Sequence, residues 1–428
     1  MEKRRVVVTG LGTVNPTGKN LEESWNNIKA GYCGIGEITA FDTTEFKVKL
    51  AGEVKDFDPS DIISKKETRH MARFTQMAVT AAAAALSDAG LTVISEGGKD
   101  VEAEQEELKK HCNPARIGVS ISCGIGGLGN IEEQHSRGME KGFEKVSPFF
   151  VPMAISNMAA GQVAIRFGLK GMCTCPVTAC AGGSNAIGDS FHRIRDGYEE
   201  LMVCGGAESC ITELGIGGFS NMKALSQSSD PARASIPFDK DRSGFVMGEG
   251  SGILVLEELE HAKARGAHIY CEILGYGANC DAYHITSPDP SAAGASACMK
   301  LCLEDGGVAP EDVDYINAHG TSTHLNDLTE TNAVHKVFGD HASKLAVSST
   351  KSMTGHLLGG AGGVEGVFTA MAVHDGFIPA TVGLKEADPE CDLDYVPGEG
   401  RKQDIRYALS NSLGFGGHNA CLLFGKYE

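Results

Sequence analysis

Three residues of this 428-residue chain have the types and settings from which thiol chemistry is built: Cys180, His319 and His356. Cys180 lies in GMCTCPVTACAGGSNAIGDSFHRIRDG, where residues 173–179 read as a short strand and Ile187, Phe191 and Ile194 recur at helical spacing. This spacing predicts a sulfur at a strand-to-helix junction, beside unpaired helix N–H groups that favour a thiolate. Small residues follow it (Ala181, Gly182, Gly183, Ser184), which reads as room for a bulky group to approach the sulfur. His319 in NAHGTSTHLND and His356 in SSTKSMTGHLLGGAGGVE each follow a predicted strand and sit among Gly, Ser and Thr, a setting unlike core packing. A Cys-His pair supports thiolate-based hydrolysis, and two histidines with a cysteine could ligate zinc. The wide separations fit no compact zinc motif and Cys173-Thr174-Cys175 is CxC, so no metal is expected.

The elements that must bring these residues together read as alternating strands and helices. Val6–Thr9 is a strand entering a glycine turn at Gly10-Leu11-Gly12, and Leu21, Trp25 and Ile28 mark a short amphipathic helix. One long helix is predicted over Ser64–Asp88, opened by a Ser64/Glu67 capping box, with Lys65, Lys66, Arg69 and Arg73 mostly on one face. The acidic run at 99–112 reads as a solvent-exposed insertion or helix, and Ile117–Ile121 as a strand leading into Gly124-Ile125-Gly126-Gly127-Leu128-Gly129. That run matches GxGxxG, but Glu132 and Glu133 come too early for a ribose-binding carboxylate; a glycine-lined wall is expected there instead of a nucleotide site. A strand at Leu201–Gly205 ends just before Ala207-Glu208, and loops over 214–250 would partly cover a cleft. The alternation resumes after residue 267, which divides the chain into halves 1–267 and 268–428 with mixed sheets covered by helices.

Composition narrows the function. A net charge of −18 argues against a general nucleic-acid or anionic-membrane binder. The start MEKRRVVVTGLG has no apolar secretory run, no segment has transmembrane length, and fourteen cysteines in so large a chain read as reduced thiols of a cytoplasmic protein.

Several separated motifs in order, VTACAGG, PFDKDRSGFVMGEG, NAHGTST, SSTKSMTGHLLGGAGGVE and NSLGFGGHN, resemble the β-ketoacyl-[acyl-carrier-protein] synthases of the elongating type II kind, within the thiolase-like superfamily. The resemblance covers essentially the whole chain. It implies an α/β fold of two similar halves in five layers (αβαβα), with the N-terminal cysteine and C-terminal histidines in one site. It further implies that Cys180 carries the acyl group, that His319 and His356 hold the malonyl thioester oxygen, and that Lys351 and Glu365 support them. Backbone N–H groups of Cys180 and Phe415 would form the oxyanion hole, Phe415 would gate the cleft, and Ile125 would border the acyl pocket near a homodimer interface. Acyl carrier protein becomes the expected partner of the Lys65/Lys66/Arg69/Arg73 face, its phosphopantetheine arm carrying the substrates, with no tightly bound cofactor. A polyketide ketosynthase using a specialised carrier is the alternative. Ala181-Gly182-Gly183 and His418 depart from the family's more common residues.

Overall fold

The computed structural model describes residues 3–428. Ten strands build the body: β1 (Val6–Val14), β2 (Ile117–Ser122), β3 (Cys173–Thr174), β4 (Leu201–Glu208), β5 (Gly250–Glu258), β6 (Cys271–Cys280), β7 (Tyr315–Asn317), β8 (Ala346–Ser348), β9 (Tyr407–Gly414) and β10 (His418–Gly425). Their spatial order is β3-β2-β4-β5-β1-β6-β10-β9-β7-β8. Within the first five, β2 runs parallel to β3 and β4, while β5 is antiparallel to β4 and β1. Within the last five, β7 runs parallel to β8 and β9, while β10 is antiparallel to β9 and β6. Order and direction therefore repeat, β1 through β5 corresponding to β6 through β10, although the sequences of the halves show no evident identity. Pairing of Val6–Val8 with Cys271–Ile273 joins the two sets into one continuous sheet.

Six helices complete the layers: α1 (Arg73–Asp88), α2 (Met158–Phe167), α3 (Gly182–Arg195), α4 (Ala293–Gly306), α5 (His324–Phe338) and α6 (Ala361–Asp375). Helices α1 and α2 cover the outer face of the first strand set, α4 and α5 that of the second, and α3 and α6 pack between the two. The result is the five-layer αβαβα arrangement. Every residue of α6 from Ala361 to Val373 is buried, as expected of a helix apolar on all sides at the centre of a protein. The inner core joins Ile187, Phe191 and Ile194 of α3 to Val364, Val367 and Phe368 of α6 and to inward residues of both sheets.

Close backbone approach in this central layer explains the small residues after Cys180. A Cβ at Gly182 would lie 2.0 Å from Ser122 Oγ, and one at Gly183 would lie 2.6 Å from the Gly363 nitrogen. These glycines seat α3 against β2 and α6; they do not open a path to the sulfur, as their size alone suggested.

Other sequence expectations are corrected by long-range packing. Strand β1 continues through Gly10-Leu11-Gly12 without a turn, with a register shift against β5 between Val8 and Gly10; both glycines face α1, where a Cβ would meet Ala85 O at 2.2 Å and Ala81 O at 2.0 Å. The helix expected over Ser64–Asp88 is two. Lys65–Thr68 carries the Ser64/Glu67 capping box, then extended Ala72 (ψ 160°) breaks the helix, with Met71 and Ala72 buried in the core, before α1 begins at Arg73. Only Cys173–Thr174 of the strand expected over 173–179 is paired, since Pro176 has no N–H to donate and Ala179 turns to φ +50°. The acidic run forms a helix, Val101–His111, yet Glu104 in it is buried against Arg166 at 2.7 Å. All fourteen cysteines are free, and no helix among the described residues is long and apolar enough to cross a membrane.

Candidate active site

Cys180 sits in a single 3-10 turn, Ala179–Ala181, immediately before α3. Ala179, at φ +50°, occupies a region that costs an L-residue about 1–2 kcal/mol, strain of the kind that clusters at functional turns. Cys180 lines a cavity of about 640 Å³ together with Ile125, Phe245, His319, His356 and Phe415. This volume is within the range of small-molecule sites.

His319 follows the end of β7 directly, whereas His356 lies beyond β8 and the helical turn Lys351–Thr354, and not at a strand end as the sequence suggested. A carboxylate fixes the first: Glu330 on α5, fully buried, accepts the N–H groups of His319 and Gly320, both at 2.8 Å, and a third bond from Asn411 Nδ2 at 3.2 Å. The second is held by its backbone, whose N–H donates to Val246 O at 2.7 Å and whose carbonyl accepts from Gly248 at 2.9 Å. Their rings stand edge to face with centroids 5.2 Å apart, and Phe245 packs edge-on against His356, also at 5.2 Å. Each Nδ1 is buried without a partner, which leaves Nε2 as the nitrogen with access to the cavity.

Charge in the site is set mainly by burial. Both histidines are held well below the usual imidazole range, first by desolvation and then by the Lys351 cation. Their neutral form fits the geometry, because an imidazolium would bury an unpaired Nδ1–H. Burial likewise pushes the Cys180 thiol up to about 12, against the pull of Lys351 and of the Phe415 and Cys180 N–H groups. The expectation that the helix entrance favours a thiolate is thus reversed at rest: desolvation outweighs the helix terminus. Lys351 is 1% exposed and pairs with Glu365 of α6, whose carboxyl burial raises to about 7 despite that cation.

Phe415 lies between Gly414, whose Cβ would come within 3.1 Å of the Cys180 nitrogen, and Gly416 and Gly417, both at positive φ (+83° and +78°). Its N–H dipole acts to lower the Cys180 thiol, and its ring stands 6.2 Å from Phe219. Ile125 is 37% exposed, an apolar side chain open to the cavity. Of the basic residues, Lys65, Lys66 and Arg69 are exposed around the short helix. Arg73 does not share their freedom: its guanidinium grips buried Glu249 at 2.7 and 2.9 Å and donates to Val54 O at 2.7 Å. The basic face is therefore divided: across the break at Ala72, Arg73 stays half exposed but is tied to Glu249, while Lys65, Lys66 and Arg69 are unengaged by that carboxylate.

Sequence reasoning missed Glu330, visible only as a polar residue inside a helical stretch, and Glu208, which it placed just beyond a strand that in fact includes it. It also gave no sign of four buried, unpartnered oxygens, Asn317 Oδ1, Glu365 Oε2, Ser410 Oγ and Asn411 Oδ1. Asn317 and Ser410 are cross-strand neighbours.

Comparison with known proteins accords with this geometry. The family model described as beta-ketoacyl synthase, N-terminal domain, matches residues 3–262, and that described as its C-terminal domain matches 270–385. The chain belongs to the β-ketoacyl synthase family. It is 52% identical over 429 residues to 3-oxoacyl-[acyl-carrier-protein] synthase 2 of Synechocystis sp., covering 100% of this chain and 99% of the relative. The protein of the same name from Staphylococcus aureus is 50% identical over 427 residues with the same coverage. Among solved structures, a chain of a type II polyketide synthase acyl-carrier protein in complex with its ketosynthase bound to the hexaketide superposes with TM-score 0.87 at 33% identity, covering 100% of both chains.

Proposed function

We propose that this enzyme condenses an acyl group with a malonyl group, both delivered on acyl carrier protein, to give β-ketoacyl carrier, carbon dioxide and free carrier in fatty-acid chain elongation. The observation that carries the reading is the convergence of Cys180 with neutral His319 and His356 in one cavity. The Cys180 sulfur attacks the acyl thioester carbonyl and forms a new C–S bond. The carrier's C–S bond breaks, and the departing carrier sulfur takes the thiol proton. N–H groups of Cys180 and Phe415 hold the tetrahedral oxygen.

In the second half-reaction the Nε2–H groups of His319 and His356 donate to the malonyl thioester oxygen. The malonyl carboxylate leaves as carbon dioxide, and its bonding electrons pass into an enolate held by those donors. The enolate carbon attacks the acyl-Cys180 carbonyl, the Cys180 C–S bond breaks, and the thiolate takes a proton from solvent, the original thiol proton having left with the first carrier. Neutral histidines suit this task, since decarboxylation creates the nucleophile and no base need remove a proton from carbon. Lys351 and Glu365 keep the electrostatic balance around the trio, Phe415 excludes water, and Ile125 limits acyl length by volume.

Lys65, Lys66 and Arg69 form the landing face for an acidic carrier, whose phosphopantetheine arm enters the cavity, and no tightly bound cofactor is required. The halves 1–267 and 268–428 supply nucleophile and histidines respectively. A homodimer is favoured by edge strand β3 and by exposed apolar residues such as Phe149, Val151, Ile155 and Val177, and a cytoplasmic setting by the free thiols. The relatives at 50–52% identity favour elongation over polyketide synthesis.

The test is incubation with defined acyl carriers and malonyl carrier, followed by intact-protein and product mass. An acyl adduct at Cys180 and a product longer by two carbons are expected. Continued elongation by Cys180→Ala, or no transfer from any carrier, would overturn the mechanism.

A further inference from the structure

Glu208, the last residue of β4, is completely buried, and no arginine or lysine pairs with it among the described residues. Its Oε2 accepts the N–H of Gly124 at 2.7 Å and of Gly359 at 3.1 Å. Its Oε1 accepts the N–H of Ile125 at 3.4 Å and the thiols of Cys123 at 3.1 Å and Cys210 at 3.3 Å. Burial raises the Glu208 carboxyl, and the five donors around it act in the opposite direction, each favouring the acceptor-only carboxylate.

The backbone donors come from two loops that are far apart in the sequence. Gly124 and Ile125 belong to the acyl-pocket loop after β2; Gly359 belongs to the turn just after His356, whose Leu358 (φ +47°) also lines the cavity. The loops touch backbone to backbone, since a Cβ on Gly359 would lie 2.3 Å from the Gly124 nitrogen. Glu208 also faces the nucleophile electrostatically: its negative charge opposes ionisation of Cys180, while Lys351 favours it.

We propose that Glu208 is a positioning residue that staples the Ile125 loop of the first half to the His356 loop of the second, so that acyl length and malonyl decarboxylation are set by one buried carboxylate. The proposal rests on the active-site reading given above. Glu208→Gln keeps the volume but turns an –NH₂ toward donors that need an acceptor, releasing at least one loop.

Three readouts on purified, full-length Glu208→Gln distinguish this role from packing. Discrimination among acyl carriers of increasing chain length is expected to flatten several-fold, and decarboxylation of malonyl carrier to slow by at least tenfold, both together. Ile125→Ala, which leaves Glu208 and Gly359 joined, is expected to change length discrimination by more than it changes decarboxylation, so the two effects no longer move together. Alkylation of Cys180 near pH 8 is expected to be several-fold faster in Glu208→Gln while that of buried Cys204 stays at its wild-type rate; quickening of both would report loosened packing and count against the proposal. A folded variant that leaves either loop's function at the wild-type value overturns the proposal.

Amide hydrogen exchange on the wild-type enzyme tests the staple even where the variant does not fold. Gly124 and Gly359 are expected to be protected and to open at one common rate, and rapid or independent exchange of either overturns it. If wild type forms no Cys180 adduct, the active-site reading fails while this exchange test still decides the staple.

Discussion

The protonation state of Cys180 in the resting enzyme can be read from its rate of alkylation. A helix entrance argues for a thiolate, whereas burial raises the thiol from 9.0 to about 12. At about 1.36 kcal/mol per tenfold, the anion costs about 4 kcal/mol more in the site than in water. At pH 8 the thiolate fraction is then about a thousandfold below that of an ordinary thiol, and the greater nucleophilicity of a more basic sulfur restores only about 20-fold. The resting enzyme should therefore react with iodoacetamide at Cys180 about 50-fold more slowly than the same residue in the unfolded chain. Exposed Cys280 provides an internal reference for reagent delivery. Rates are read from the Cys180 peptide by mass spectrometry between pH 6 and pH 10, and the logarithm of the rate should climb with unit slope and no plateau. Lys351→Met, which removes the largest opposing influence, should slow the reaction further. A plateau below pH 9, or a Cys180 faster than its unfolded counterpart at pH 7, would show that the helix terminus wins and refute the reasoning.

Charge reversal of Lys65, Lys66 and Arg69 together should raise KM for acyl carrier at least tenfold with kcat within about twofold, and added salt should shrink the difference, as steady-state kinetics would show. Arg73→Ala should instead lower stability by about 2 kcal/mol in urea unfolding, because Glu249 is left buried and unpaired while Arg73 itself is half exposed. His319 and His356 are depressed in the fold, so their contribution to stability is present above the unfolded imidazole pKa of 6.5 and is lost as pH falls below it, where the unfolded chain takes up protons. His356→Asn should reduce the acid-side slope of unfolding free energy by about 1.4 kcal/mol per pH unit. Ile125→Phe should shorten the longest acyl chain transferred to Cys180 while leaving short chains within about twofold, measured across a chain-length series of carriers.

What the sequence made legible was whatever is written locally. Strand-helix alternation, the Ser64/Glu67 cap and the helical spacing of Ile187, Phe191 and Ile194 depend on neighbours a few residues away, and each is present in the fold. Features decided by distant partners were not legible. Gly10 and Gly12 look like a turn until α1 is laid across them. Arg73 looks like a surface cation until Glu249, 176 residues away, takes it. The pairs Glu104–Arg166 and Glu330–His319, like the five donors around Glu208, are satisfied only after the chain has returned on itself, so composition and period carry no trace of them.

The same distinction explains why the site's charges could not be read from residue types. Cys180, His319 and His356 all lie in Gly- and Thr-rich text that looks polar, yet the layers above and below remove water from each. Desolvation moves the thiol up and the imidazoles down, so every member of the trio rests neutral. Lys351 is the one cation that acts on all three, and its sign helps twice: it eases formation of the thiolate when acylation begins and keeps both rings neutral donors when the enolate forms. Its partner Glu365 is the cost. A carboxyl raised from 4.5 to about 7 contributes stability that is present below pH 4.5 and is lost as pH rises through 7, about 3 kcal/mol at the alkaline end. An apolar pair of similar volume would stabilise the fold more, but it would leave the thiol without its nearest cation. The buried pair is therefore best understood through the chemistry of Cys180 and the two histidines, with the surrounding α6 core supplying the stability that the pair takes away.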